Sequence, residues 1–262
     1  MNNEFEVFSF RASDGNTVKL EYRESLPSTS ALATQYAEAG YPDRYAVFAE
    51  KQATGTSKGK SLSENDINKG IFLSCILRPS IFKSQAGPII ALSTLALALA
   101  LEEHSSKTIE IGWDGCIYCN RTKIGEIFVH NKSSSDNTSY EYLIISFSVK
   151  LDEKIFPPRL TDMVRSVFEE NNLSVPMIMA KTILNKCFSL YKDLKTPEKH
   201  FNNYASKFAL EGVKIKYIEK GKKKPARIVG ISKEDLSLII ELRDGRKINV
   251  HSSSAVQIPN KI

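Results

Sequence analysis

Three groups of residues in this 262-residue chain have the types and spacing to do chemistry. The first is the octapeptide TGTSKGKS at 54–61, one glycine short of a phosphate-cradling loop because Thr54 stands where the first glycine belongs. A strand-like segment precedes it through Phe48, but the SLSENDINKG that follows reads as turns. Without a helix N-terminus there are no converging amides to hold a phosphate, so the segment reads as a Gly/Lys loop able to close over a ligand. The second group is Cys116 and Cys119, spaced C-x-x-C. A zinc site needs a second pair of ligands, yet Cys75 and Cys187 are isolated and His104, His130, His200 and His251 are scattered. A redox pair wants its first thiol at a helix N-terminus, whereas this segment reads as a turning strand. Both thiols are therefore expected to be buried or half-buried. The third group is basic: Lys214, Lys216, Lys220, Lys222, Lys223, Lys224 and Arg227.

Charge follows that third group. The net charge is +6; residues 211–262 hold 12 basic and 6 acidic residues, while the first 210 hold 24 of each, so the excess lies entirely in the last fifth. Such a patch can attract phosphates or an acidic partner, or it can be a solvated hairpin whose lysines keep an edge strand soluble. No aromatic platform or nucleic-acid motif accompanies it, so nucleic acid is not the expected partner. No Ser-His-Asp arrangement is recognisable, and no nucleophile is assigned.

The elements that must position these groups follow from hydrophobic periodicity. Strands are expected at EFEVFSFRA, NTVKLEYRE, 45–50, 71–77 and 142–149, and a hairpin-like pair at 108–117 and 123–130. A helix is expected over 28–39, with Ser28 or Ser30 as cap and Gly40 as stop. Residues 86–101, AGPIIALSTLALALAL, are apolar but about 16 long, short of the roughly 20 that cross a bilayer; Pro88 suits a helix start, and a core helix is expected. Two further helices are expected within 159–194, and 53–69 is a polar linker. After residue 210 only short alternating segments follow, separated by GKKKP, SKED and RDGR, with Asp244-Gly245 a good hairpin turn. The expected class is α+β: a mixed sheet with packed helices over residues 1–210, then a small SH3-like β-barrel over 211–262. Apolar residues at 42% and charged residues at 25% fit a folded globular chain. Four cysteines are too few for a disulfide framework, and MNNEFEVFSF lacks the basic-then-apolar pattern of a signal peptide. A reducing, cytoplasmic setting without a membrane is expected.

Taken in order, these segments resemble the biotin-protein ligases within the wider biotin and lipoate ligase family. PSTS at 27–30 is similar to the family's S-T-N segment, and AEKQ at 49–52 leads into a Gly/Lys loop as the family's strand leads into GRGRxGRxW. GIFLSCILRP at 70–79 is similar to N-L-Y-x-S-x-x-L-R-P, the best-matching single stretch. IGWDGCIYCNRTKIGEI at 111–127 aligns without a gap to I-K-W-P-N-D-I and its following K-I-x-G-I, and GISKEDLSLIIELRDGRKINVHS at 230–252 to the small C-terminal domain. The resemblance implies binding of biotin and Mg-ATP, formation of biotinyl-adenylate, and transfer to one lysine of a biotin carboxyl carrier domain. It implies Ser28, Thr29, Gln52, Gly55 and Trp113 around biotin, and Lys58, Lys60 and Lys123 toward phosphate. Family members often pair, so a dimer is compatible.

The departures fall on the chemical positions. Gly112 stands where the family has its catalytic lysine, and Asp114, Gly115 and Cys116 replace Pro, Asn and Asp. Thr56 replaces the first loop arginine, and Lys58 and Lys60 keep charge without arginine's bidentate fork. Leu62 stands in place of the loop tryptophan, and SFSVK at 146–150 has neither glycine of the family's G-x-G-I-N, with Phe147 a candidate to fill the space. Three functions follow: a weak or inactive ligase-like protein that keeps ligand or carrier binding, an active ligase with a rearranged site, or a non-enzymatic module acting through the basic C-terminal domain.

Overall fold

The computed structural model describes residues 5–53, 67–79, 81, 83, 88–105, 107–113, 115–150, 175–219, 221–251 and 255–258. Gly55, Lys58, Lys60, Asp114 and Lys220 lie outside them, as does the expected helical stretch from 159 to 174.

Eight strands form the larger sheet: β1 Glu6–Arg11, β2 Thr17–Leu26, β3 Tyr45–Ala53, β4 Ile67–Leu77, β5 Glu110–Ile111, β6 Cys116–Cys119, β7 Thr122–Ser133 and β8 Tyr140–Lys150. Their order is β1-β2-β3-β4-β8-β7-β6-β5. Only β2 and β3 pair in parallel, as the α1 crossover (Thr29–Glu38) between them requires; the other pairs are antiparallel, so the sheet is mixed. β4 begins at Ile67, inside the segment expected to be a polar linker.

The apolar run forms α2, Pro88–Glu102, and 12 of its 15 residues are buried. A helix apolar all round needs cover all round. It lies between the sheet, where it meets β5, β6 and β7, and α3, Val175–Tyr191. The main core sits on this face and includes Phe48, Leu73, Leu95, Ile145, Phe147 and Phe188. On the opposite face α1 covers only β3, β4 and β8, packing Ala33 and Ala37 against Val47, Ile76 and Tyr142. A 3₁₀ turn at Pro197–His200 and the short α4, Phe201–Lys207, lead toward the second sheet.

That sheet holds β9 Lys214–Glu219, β10 Lys222–Ile231, β11 Leu238–Leu242, β12 Lys247–Val250 and β13 Val256–Gln257, in the order β12-β11-β10-β9-β13. Among the described residues it is open: no pairing joins β12 to β13, so closure into a barrel is not seen. The KKKP stretch, expected as a turn, belongs to β10, where Pro225 faces Lys216 of β9. Pairing with β11 begins only at Ala226, so the missing proline N–H costs no ladder bond to β11. Asp244-Gly245 does form the β11–β12 turn, with Gly245 at φ +82° and the Asp244 carboxylate accepting from the Arg246 amide.

The two cores trade residues. Trp113, from the loop between β5 and β6, packs in the second sheet's cluster with Leu210, Ile215 and Ile240. Ile231 and Leu236, from the second sheet, belong to the main core. Phe208 touches both clusters and bridges to Ile111.

Candidate functional site

Among the described residues α1 covers only part of one sheet face; on the rest of it Ser146, Cys116 and Tyr118 are buried while β7 is partly exposed. Phe128 on this face is 56% exposed, a large apolar side chain left uncovered in the middle of a sheet. The N-terminus of α1 points at the boundary between the part it covers and the rest. Ser28 is the N-cap in extended backbone (φ −163°), and its Oγ accepts from the Ala31 amide at 3.1 Å. The next amide, of Thr29, donates 2.9 Å to Oε1 of Gln52 at the end of β3.

From Thr29 a line of hydroxyls crosses the sheet. Thr29 Oγ1 lies 2.9 Å from Ser74 Oγ on β4, and Ser74 donates 2.9 Å to Ser146 Oγ on β8. All three residues are buried. Ser74 gives its one hydroxyl proton to Ser146, and the Thr29 hydroxyl has two acceptors within reach, Oε1 of Gln52 at 3.3 Å and Ser74 Oγ. The proton of Ser146 then has no acceptor among the described residues, and neither do the two amide protons of Gln52. The chain presents donors at both ends, and a group placed over it must accept. β-Sheet alternation fixes the rest of this face: Ser146 pairs with Phe128, and Ser148 with Glu126, which in turn pairs with Cys116. Phe147 points the other way, into the main core at 1% exposure, so it does not fill space here.

Lys123 reaches the same face from β7. Its ammonium pairs with Glu126 and touches Cys116. Burial works against its charge, but the hydrogen bond to Glu126 and the neighbouring thiol outweigh that and raise the lysine above its usual 10.5. Cys116 and Cys119, three apart on a strand, face opposite sides: Cys119 lies in the main core, where burial raises its thiol, and Cys116 lies by Lys123. They cannot chelate one ion together. Among the described residues no group of three His, Cys, Asp or Glu side chains is placed to hold a metal.

Gly112 is held by its backbone: its amide donates 2.8 Å to the Cys116 carbonyl, and its carbonyl accepts from the Tyr204 hydroxyl at 3.4 Å. Trp113 beside it is 9% exposed among apolar neighbours of the second sheet. Gly115 (φ +86°) and Gly125 sit where a Cβ would meet the Ile127 carbonyl at 2.8 Å and the Ser148 carbonyl at 2.6 Å. The structure thus brings Ser28, Thr29 and Gln52 together, puts Lys123 on the same face three strands over from Gln52, and leaves Trp113 in the neighbouring core.

Ser74 and Ser146 escaped the sequence reading. The available signal was parity: each is a hydroxyl in an otherwise buried apolar strand, on the opposite face from its flanking core residues. A second buried network was also missed. Glu21, 1% exposed, accepts from Arg23 at 2.7 Å, Tyr45 at 2.8 Å and Tyr36 at 3.2 Å, fixing α1 against β2 and β3. Burial first, then the Glu21 charge, raises the Tyr45 phenol.

No family model matches the chain. The bifunctional ligase/repressor BirA of Bacillus subtilis is 26% identical over 148 residues, covering 56% of this chain and 46% of that protein. Its counterpart from Bacillus spizizenii is 24% identical over 178 residues, covering 68% and 55%. The chain therefore spans about half the length of the curated relatives it matches. Among solved structures, a biotin protein ligase from Aquifex aeolicus in complex with biotin and ATP superposes with TM-score 0.64 at 17% identity, over 92% of this chain and 98% of that one. A biotin protein ligase-like protein of unknown function from Silicibacter gives 0.62 at 14%, over 89% and 94%. The fold is that of the biotin protein ligases. With the BirA matches, this supports the chain as a divergent member of the biotin-protein ligase family.

Proposed function

We propose that the chain is a biotin-protein ligase-like protein that binds a biotin-type ligand on this sheet face and carries out adenylation and transfer weakly or not at all. The observation that carries this reading is the donor-terminated chain Gln52–Thr29–Ser74–Ser146 set beside a glycine at 112. The free protons of Gln52 and Ser146 suit a ureido carbonyl, and Phe128 offers an apolar surface beside them. ATP, when bound, would supply the leaving group for carboxylate activation. On this chain Lys123 would meet its phosphates, together with Lys58 and Lys60 from outside the described residues. Lys123 is already paired with Glu126, which reduces the field it offers to developing charge. Loss of one such cation lowers rate by about 100- to 1000-fold. Magnesium would enter with the nucleotide. A biotin carboxyl carrier domain is the proposed protein partner, and residues 1–210 and 211–262 the two domains, the second read as the SH3-like barrel of that scaffold.

Calorimetric titration with biotin, ATP and a non-hydrolysable biotinyl-adenylate analogue, alongside a biotin-transfer assay to a carrier domain, tests the reading. Binding of biotin or the analogue with transfer at least 100-fold below an active ligase assayed alongside is expected. Transfer at the rate of that ligase would establish the rearranged-site alternative. No binding of any of the three would shift function to the basic C-terminal surface.

A further inference from the structure

At the opposite end of β3 from Gln52, a cavity of about 600 Å³ opens between the β1–β2 turn, the loop before β3, the end of β4 and the end of α3. Eight residues of extended strand put it about 26 Å from the Gln52 end, so it is separate from the site above and does not rest on the function proposed for that site.

Arg44 organises the cavity. It takes a left-handed backbone, φ +63°, which costs a non-glycine residue about 1 kcal/mol. Its guanidinium lies 4.2 Å over the Phe188 ring and bridges Asp14 at 2.7 Å and Asp43 at 3.3 Å. The acceptors here are spent. Asp14 takes the amide and side chain of Asn16 as well as Arg44, and Asp43 takes the Arg78 amide as well as Arg44. Arg78 is spent too, on the carbonyls of Ala37, Tyr41 and Glu141. Donors remain. Lys192 and Lys195 have no carboxylate partner among the described residues, although Lys186 and Lys199 nearby in sequence each have one. The Tyr191 hydroxyl has no hydrogen-bond partner among them, and burial raises its pKa, keeping it a neutral donor. Arg44 Nη1 is buried without a hydrogen-bond partner. Four cations line the cavity against two carboxylates.

We propose that this cavity binds a small polyanion, a metabolite carrying phosphate or several carboxylates, through Lys192, Lys195 and the Tyr191 hydroxyl. The test is a ¹H–¹⁵N NMR titration of the full chain with inorganic phosphate and, separately, citrate. Saturable shifts at Asp14, Arg44, Tyr191 and Lys195 are expected with phosphate, citrate or both, the pattern identifying the anion. The Lys192→Ala/Lys195→Ala variant, altered only at exposed positions, is expected to bind at least tenfold more weakly, whereas Lys222→Ala/Lys223→Ala binds unchanged. Absence of saturable shifts at these residues, shifts confined to Lys222–Lys224, or equal affinity in the first variant would overturn the proposal.

Discussion

The N-terminal end of α1 and the β5–β7 hairpin edge belong to one sheet face, and they have kept different things. Around Ser28, Thr29 and Gln52 the hydrogen bonds that are made run through regular structure: a helix cap, a strand end and hydroxyls on the next two strands. Around Gly112 and Lys123 the backbone is closely packed, yet its side chains do no comparable work. Gly112 has none, Trp113 has gone to another core, and Lys123 is paired with Glu126. The groups proposed above to meet an uncharged ligand head are tied to the fold, because removing one strands its buried partner. Lys123, the described cation proposed above to meet phosphate, is half-exposed and near an edge of the sheet, where it can change without unfolding anything.

Substitutions can break or sharpen this contrast. The largest effect is expected at Gly125→Val: its Cβ would lie 2.6 Å from a backbone carbonyl, so urea unfolding should show a loss of about 3 kcal/mol or more. This would show the hairpin edge to be structurally strict. Gln52→Ala should weaken biotin or analogue binding by about 10- to 100-fold in calorimetry, since it removes the amide donors, and leave the thermal midpoint within a few degrees. Gly112→Lys sharpens the contrast from the other side. Gly112 is not among the glycines with positive φ, so its backbone angle does not exclude a side chain, although the position is buried. A gain of tenfold or more in transfer to a carrier domain is expected; no gain would mean the phosphate side has lost more than one cation. The smallest effect concerns pH. Lys123 is held protonated above 10.5, so its pairing stabilises the fold at lower pH and is lost only as pH rises through the raised value. Its side chain is 42% exposed, so Glu126→Gln should cost only a few tenths of a kcal/mol at pH 8 in thermal melts. That small cost should shrink as pH rises through the raised lysine value.

The fold was legible where burial writes itself into periodicity. The run that became α2 and the strands at 71–77 and 142–149 were visible because both faces or one full stripe had to be apolar. The grouping of Ser28, Thr29 and Gln52 was legible, and the structure brings the three together. Ser74 and Ser146 were not, because a hydroxyl in a buried strand looks like a tolerated defect until its partner across the sheet is known. The destination of Trp113 was illegible for the same kind of reason: its neighbours at Leu210 and Ile215 lie about 100 residues away in sequence. In β10, local turn chemistry misled, since the ladder with β9 overrode a KKKP sequence that alone favours a bend.

The exchange of Trp113 for Ile231 and Leu236 bears on how the protein comes apart. Each sheet holds a plug that belongs to the other's interior, so neither can loosen without opening a void in its neighbour. Amide exchange measured at rising denaturant should show the protected hydrogens of β4 and of β11 released in the same step. A protease cutting near residue 210 would then liberate two fragments that each lack part of their own filling, and neither would be expected to stand alone.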